Sequence, residues 1–306
     1  MLDESAQGVF TISVTPFSED GSLDLESLDR VVDFYLEKGA TGLTVLGMMG
    51  EAGKLSASEA EAVAKRAVAR AGVPVVVGVS APGFAQMQAL SEASVAAGAA
   101  AVMVAPPATL KTDGQIVAYY HAVAETLGDI PFVLQDFPLV TNVVVPSEVI
   151  LKIVEDCPTC VMLKHEDWPG LGKISALRAA SDKGARRISI LCGNGGLYLP
   201  EEMARGADGA MTGFSYPEMM SRVVACHERD ETERGRDIFD AYLPLARYEN
   251  QPGLGLAIRK HILSRRGAIK SAFVRKPGPV PMTADLTEIE SLIARQEVAL
   301  SKLDLD

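Results

Sequence analysis

The sequence is short of the features that mark a secreted, membrane-bound or nucleic-acid-binding protein. Cysteine is scarce, with only four residues (Cys157, Cys160, Cys192 and Cys226) in a chain of 306. That is too few for the disulfide framework of a secreted domain, so a reducing, cytoplasmic setting is expected. No run of about 18 uninterrupted apolar residues occurs, and no membrane span is expected. The opening Met1-Leu-Asp-Glu-Ser5 is acidic and lacks the basic lead-in and apolar stretch of a secretory signal. Positive charge is in deficit: 29 Lys and Arg stand against 40 Asp and Glu, a formal net charge of -11. Such a surface repels nucleic acid and anionic membranes alike. The four histidines (His121, His165, His227 and His261) are scattered and suggest no metal cluster. Also missing is a glycine-rich phosphate turn after the first apolar run, which continues instead as Thr15-Pro-Phe-Ser-Glu-Asp-Gly21. An open, doubly wound dinucleotide-binding sheet is therefore disfavoured.

What is present is a regular alternation. Hydrophobic residues make up 48% and charged residues 23%, which allows a full-sized core. Short apolar runs at 9–14, 42–46, 75–79, 101–105, 132–135, 161–164, 188–192 and 209–212 read as strands buried on both faces. Longer stretches with apolar residues at helical spacing lie between them, as at 25–38, 58–71, 86–97 and 115–127. Ser56 and Glu59 form a capping-box pattern. The strand-plus-helix unit repeats at intervals of roughly 20 to 33 residues, and eight such strands close a (β/α)8 TIM barrel. About 90 residues follow the last strand, more than one closing helix needs. Helices expected near 216–229, 231–248, 255–266 and 286–300 suggest a barrel over residues 1–225 and a C-terminal helical extension over 226–306 packed on it.

In such a barrel the chemistry lies where the C-terminal strand ends meet. Lys164 directly follows Val161-Met-Leu163 at the end of strand six. Desolvation there favours the neutral amine, which can attack a carbonyl. A lysine that snorkels out of the strand tip is the competing reading. Glu166 falls two residues on, on the same side if the strand continues, and could move protons or merely form an ion pair. Gly47-Met-Met-Gly-Glu51 is a glycine-flanked turn whose backbone N–H groups can cradle a carboxylate, and Gly193-Asn-Gly-Gly196 permits close approach of backbone to ligand. Gln135 ends strand five. Asp136 should face the other way in a structural role, and His165 should pack between barrel and helices. Trp168 could line the rim of the site, but a buried anchor under its loop is the reading expected. Cys157-Pro-Thr-Cys160 has redox or zinc half-site spacing but no second pair nearby.

Taken in order, these pieces resemble the dihydrodipicolinate synthase / N-acetylneuraminate lyase family of class I Schiff-base lyases. The resemblance runs from Gly8-Val-Phe and Thr15-Pro-Phe through Gly47-x-x-Gly-Glu51, Pro138 and Lys164 to Gly193-Asn194. It implies a small 2-keto acid as substrate, an imine on Lys164, and substrate contacts from Gly47, Met48, Met49, Gly193 and Asn194. It implies no metal or organic cofactor, and a homo-oligomer (tetramer or dimer). Several positions depart from the family pattern. Met48-Met49 replace two hydroxyl residues, Gln135 replaces a proton-shuttling tyrosine, Val140 replaces an arginine for the second substrate's carboxylate, and Pro107-Ala108 replace an aromatic pair. Gln135-Asp136, Glu166, Gly209-Ala-Met-Thr-Gly213 and Leu243-Pro-Leu…Glu249-Asn-Gln251 are similar to a branch typified by 2-keto-3-deoxy-L-arabonate dehydratase. That branch has a further glutamate after strand seven, where this chain has Cys192-Gly193-Asn194. The resemblance thus implies a lyase working by dehydration or by aldol cleavage or condensation, with Lys164, Glu166 and Gln135 as catalytic residues. The alternatives are the synthase reaction of pyruvate with aspartate semialdehyde, and a non-catalytic keto-acid-binding paralogue.

Overall fold

Runs of Val, Ile and Leu lack the spacing to cover only one face, so they must be buried on both, and the chain meets that need by closing a sheet. In the computed structural model, which describes residues 1–306 except Pro169, Asp304 and Asp306, the strands are β1 (Gly8–Ile12), β2 (Gly42–Val45), β3 (Val75–Gly78), β4 (Ala101–Val104), β5 (Phe132–Asp136), β6 (Cys160–His165), β7 (Ser189–Cys192) and β8 (Gly209–Ala210). Each pairs in parallel with the next, and β8 pairs with β1 to complete the barrel. The expected TIM barrel is the observed fold. The strand expected at 209–212 is shorter than its apolar run, although Ile12 still donates its N–H to the Thr212 carbonyl at 2.8 Å.

The helices that cover the barrel are α1 (Leu25–Glu37), α2 (Ala57–Ala71), α3 (Phe84–Ala96), α4 (Asp113–Leu127), the single turn α5 (Pro138–Thr141), α6 (Ser147–Asp156), α7 (Leu171–Asp182), α8 (Leu199–Ala204) and α9 (Glu218–Glu228). Local chemistry sets their ends. The Ser56–Glu59 capping box opens α2 as its sequence pattern predicts, and Gly72 in the left-handed region (φ 63°) ends it. Beyond α9 the chain adds α10 (Thr232–Glu249), α11 (Gly255–Arg265) and α12 (Thr283–Leu300). The boundary expected at 225/226 falls inside α9, and α10 packs against both α9 and α12. No helix among the described residues is long and apolar enough to cross a membrane.

Two apolar layers result. An outer one, including Leu43, Val45, Leu134, Leu163 and Ile190, lies between strands and helices. An inner one fills the barrel with Phe10, Ile12, Val76, Met103, Val133, Met162, Leu191 and Met211. Strand β6 does not alternate evenly between them. Cys160 belongs to the outer layer, yet both Val161 and Met162 belong to the inner one. The pairing register skips Val161: Phe132 faces Cys160, while Val133 faces Met162. This β-bulge reverses the phase of everything after it. Lys164 consequently points inward. In a strand running on from Cys160 with all its residues in regular alternation, position 164 would face the helices.

Candidate active site

The bulge and the register together bring three polar side chains into an apolar barrel. Gln135 on β5 is the register partner of Lys164 on β6. The Glu166 N–H donates to the Asp136 carbonyl at 2.9 Å, so the ladder continues past the strand end and Glu166 keeps the same phase. The Glu166 carboxylate accepts a hydrogen bond from Lys164 Nζ through Oε2, and the same oxygen accepts one from Gln135 Nε2 at 2.7 Å. Lys164 and Glu166 are each 5% exposed and Gln135 is 3% exposed. The lysine is therefore buried and does not snorkel out. The Phe137 ring lies 5.9 Å from its nitrogen. Burial is the main cause that pushes the Lys164 ammonium below its ordinary range; Glu166 opposes it, and the positive charge of Arg259 adds to it.

The turn after β2 forms the next part of the mouth. Met48–Gly50 is a single 3-10 turn in which Gly50 N–H donates to Gly47 O (3.0 Å) and Glu51 N–H to Met48 O (3.1 Å). The N–H groups of Met48 and Met49, at the head of the turn, have no partner within it. Gly47 lies over the barrel interior: a Cβ there would stand 3.6 Å from Ile12 Cγ2 and 3.7 Å from Met103 Cε. Met49 packs on the inner apolar layer, whereas Met48 is 40% exposed. Thr15 Oγ1 holds the turn from below by donating to Gly50 O at 2.6 Å. Glu51, buried and left-handed (φ 56°), anchors its far end. The Glu51 carboxylate accepts from Lys260 Nζ, from Lys54 Nζ (2.9 Å) and from the Arg275 N–H (3.0 Å).

The glycines after β7 serve space as much as flexibility. A Cβ on Gly193 would sit 2.1 Å from Glu166 Cγ, so the Glu166 side chain occupies the volume that any larger residue would take. Asn194 Nδ2 donates to the Glu166 backbone carbonyl at 3.1 Å. Gly195 N–H donates to Thr212 Oγ1 at 2.9 Å. The 193–196 turn thus braces Glu166 and the end of β8.

On the outer face of the same strands, Asp136 accepts from Lys173 Nζ of α7 at 2.6 Å, the structural role expected of it. Burial raises the Asp136 carboxyl to about 6, with Lys173 opposing. His165 is buried on that side too, and desolvation lowers it to about 4. Trp168 is not the buried anchor expected: it is 39% exposed and meets Tyr198 edge-on, with ring centroids 4.9 Å apart. The two rings, one just past β6 and the other at the head of α8, cover each other. Cys157 and Cys160 are free and buried, and burial pushes the Cys160 thiol to about 12, which leaves it un-ionised and inert.

Two cations of the C-terminal extension escaped the sequence reading. Arg259 and Lys260 of α11 are 3% and 0% exposed. Arg259 Nε donates to Glu249 Oε1 of α10 at 2.6 Å, and Glu249 also accepts the Ser215 N–H. The available signal was two adjacent cations set among Leu256, Ala257, Ile258, Ile262 and Leu263, in a helix otherwise read as packing.

With this geometry in place, comparison with known proteins decides the family. Residues 5–295 match the dihydrodipicolinate synthetase family. The chain belongs to that family. Its relatives are lyases and so is this enzyme. The crystal structure of a dihydrodipicolinate synthase from Rhodopseudomonas palustris superimposes with a TM-score of 0.95 at 52% identity, covering 96% of this chain and 99% of that one. A 4-hydroxy-tetrahydrodipicolinate synthase of Persephonella marina is 30% identical over 244 residues, 78% of this chain and 81% of its own. An L-2-keto-3-deoxyarabonate dehydratase of Azospirillum brasilense is 27% identical over 286 residues, 89% of each chain. The two curated relatives, a synthase at 30% and a dehydratase at 27% identity, carry different reactions at similar distances, and the substrate has to be argued from the site.

Proposed function

We propose that this enzyme dehydrates a 2-keto-3-deoxy sugar acid through an imine on Lys164. The observation that carries the reading is the sharing of Glu166 Oε2 between Lys164 Nζ and Gln135 Nε2. A carboxamide holds no transferable proton at neutral pH, so Glu166 is the proton carrier of the trio. Neutral Lys164 adds to the C2 ketone, and the proton held by Glu166 lets the carbinolamine oxygen leave as water, which gives the iminium and a Glu166 carboxylate. The Met48 and Met49 N–H groups hold the C1 carboxylate, and the Gly193-Asn194 turn keeps Glu166 in place. Glu166 then takes a proton from C3, and the electron pair is stored as an enamine. It returns to expel the C4 hydroxyl as water, with Glu166 supplying the proton. Hydrolysis frees Lys164. Gln135 orients the carboxylate or the departing water. No step calls on a metal or organic cofactor. A cytoplasmic homo-oligomer, a tetramer or dimer, is the expected working form, in keeping with four free, buried thiols.

The synthase reaction of pyruvate with aspartate semialdehyde is the second reading, favoured by the names of the Rhodopseudomonas and Persephonella relatives. It is opposed by Val140, apolar and 51% exposed where the resemblance expects a carboxylate-binding arginine. Aldol cleavage would use the same Lys164–Glu166 pair, and a non-catalytic keto-acid binder would have no use for it. The test is borohydride reduction of the enzyme in the presence of pyruvate or a 2-keto-3-deoxy acid, read by intact mass. One reduced adduct is expected, absent in Lys164→Ala, together with dehydration of a 2-keto-3-deoxy acid and no consumption of aspartate semialdehyde. An unchanged mass sinks the imine. Efficient use of the semialdehyde restores the synthase.

A further inference from the structure

The guanidinium of Arg259 is buried yet unfinished. Its Nε is engaged by Glu249, but Nη1 is buried with no hydrogen-bond partner among the described residues. A guanidinium carries five N–H donors, and an orphaned buried donor is destabilising unless something arrives to accept from it. Three observations place this nitrogen at the barrel mouth. Met211 lies in the inner layer, and the Met211 N–H still reaches Cys192 O at 2.8 Å, so Gly213, two residues on, shares its inward phase. A Cβ built on Gly213 would stand 2.3 Å from Arg259 Nη1 and 3.0 Å from the Ile12 carbonyl. Gly213 thus leaves open the space through which the guanidinium enters, beside the end of β1. The Ile12 side chain, in turn, lies under Gly47 at the base of the 47–51 turn. The turn and the free Nη1 flank the same strand end. Lys164 also feels the positive charge of Arg259.

The 47–51 turn has a deficit that this nitrogen can fill. Met48 and Met49 bring no hydroxyl or charge to a substrate carboxylate, and Glu51 faces away into its own cations. Glu166 already answers Lys164. A carboxylate entering the mouth would find two backbone N–H groups and the free Nη1 donor of Arg259, whose Nε alone is engaged by Glu249. A guanidinium fork can hold one carboxylate along one edge and a second along another, a geometry that lysine lacks. We propose that Arg259 is a substrate-binding residue whose Nη1 takes the C1 carboxylate of the 2-keto acid, doing from α11 what side-chain hydroxyls would do from the turn. This deepens the imine reading and rests on it for the identity of the ligand.

The test compares wild type with Arg259→Lys and with the double variant Arg259→Met/Glu249→Gln, which removes the pair together and leaves no buried lone charge. Circular dichroism and thermal melting establish that each is folded. Borohydride trapping is titrated with pyruvate and, separately, with its neutral methyl ester. The concentration for half-maximal trapping by pyruvate is expected to rise about 10- to 100-fold in the double variant, the range for a lost charge-assisted hydrogen bond. A smaller rise is expected in Arg259→Lys, with the ester shifted less than about threefold in both. A purely structural role would move acid and ester together. That result, or no shift for either, overturns the proposal. Failure of the imine reading is distinguishable, because wild type would then show no adduct at all. In that case pyruvate protection against thermal unfolding is read instead. Protection lost in the double variant upholds Arg259 as the anion receptor, whereas no protection in wild type, or equal protection in both, overturns it.

Discussion

Gly193 has a negative φ (-106°), so handedness does not demand a glycine there. Space does, because the Glu166 side chain fills the place of its Cβ. Gly193→Ala should fold, since only a neighbouring side chain must give way. It should lower turnover about 10- to 100-fold, as expected if the proposed proton carrier Glu166 is displaced by about an ångström. Turnover and borohydride trapping measured together check this: trapping should persist, because the Lys164 side chain meets no new atom. At this scale the sequence was legible where position along one strand was enough. Lys164 and Glu166 could be paired from their two-residue spacing, and Gln135 from its place at a strand end. Arg259 could not, because its partners Glu249 and Gly213 are neighbours only after the extension has docked.

Single elements decide which face those residues reach. Eight apolar runs were enough to infer a barrel, but no pattern in Cys160-Val-Met-Leu-Lys164 announces the bulge that turns Lys164 inward, because every residue before it is apolar. Deleting Val161 takes out the bulged residue and leaves Lys164 opposite Gln135 and inward, whereas one residue inserted between Met162 and Leu163 should carry Lys164 toward the helices. Trapping by pyruvate should fall at least about 100-fold in the insertion variant, while the Val161 deletion and Val161→Ala, which both keep the phase of Lys164, should trap normally. The short helix α8 offers a different test. Its Glu202 is 5% exposed, with Oε2 unpartnered among the described residues and beside Cys192, and burial raises its carboxyl to about 8 from an ordinary 4.5. The folded chain thus keeps a proton that the unfolded chain has lost. The stability this residue contributes is complete below pH 4.5 and drains away as pH rises to about 8. Glu202→Gln should flatten that fall in melting temperature between pH 4.5 and 8. At alkaline pH the variant should be the more stable by about 2 kcal/mol. An unchanged melting profile would mean that Glu202 is ionised in the fold.

The whole molecule joins the extension to the mouth. Thr15-Pro-Phe17, the 47–51 turn and α11 are far apart in sequence, yet they meet at Glu51. Lys260 Nζ bonds its carboxylate and the Phe273 carbonyl (2.9 Å) while lying 4.6 Å from the centre of the Phe17 ring. Arg275 stacks on the same ring at 4.3 Å and donates its N–H to Glu51. The extension therefore holds the turn that presents Met48 and Met49, and a barrel cut off at residue 225 would lose Lys260, Arg275 and Arg259 together. Replacing Lys260 by methionine keeps most of the volume but leaves a buried carboxylate short of one cation. The expected loss of stability is about 3–5 kcal/mol, measured by urea unfolding. The second substitution in Lys260→Met/Glu51→Gln removes the uncompensated charge and should recover much of that loss. Kinetics separate the two consequences. With the charge gone but the tether still broken, the double variant should regain stability and yet keep a KM raised about tenfold, because the turn has lost its tie to α11. If KM recovers along with stability, the extension supports the barrel without positioning its carboxylate turn.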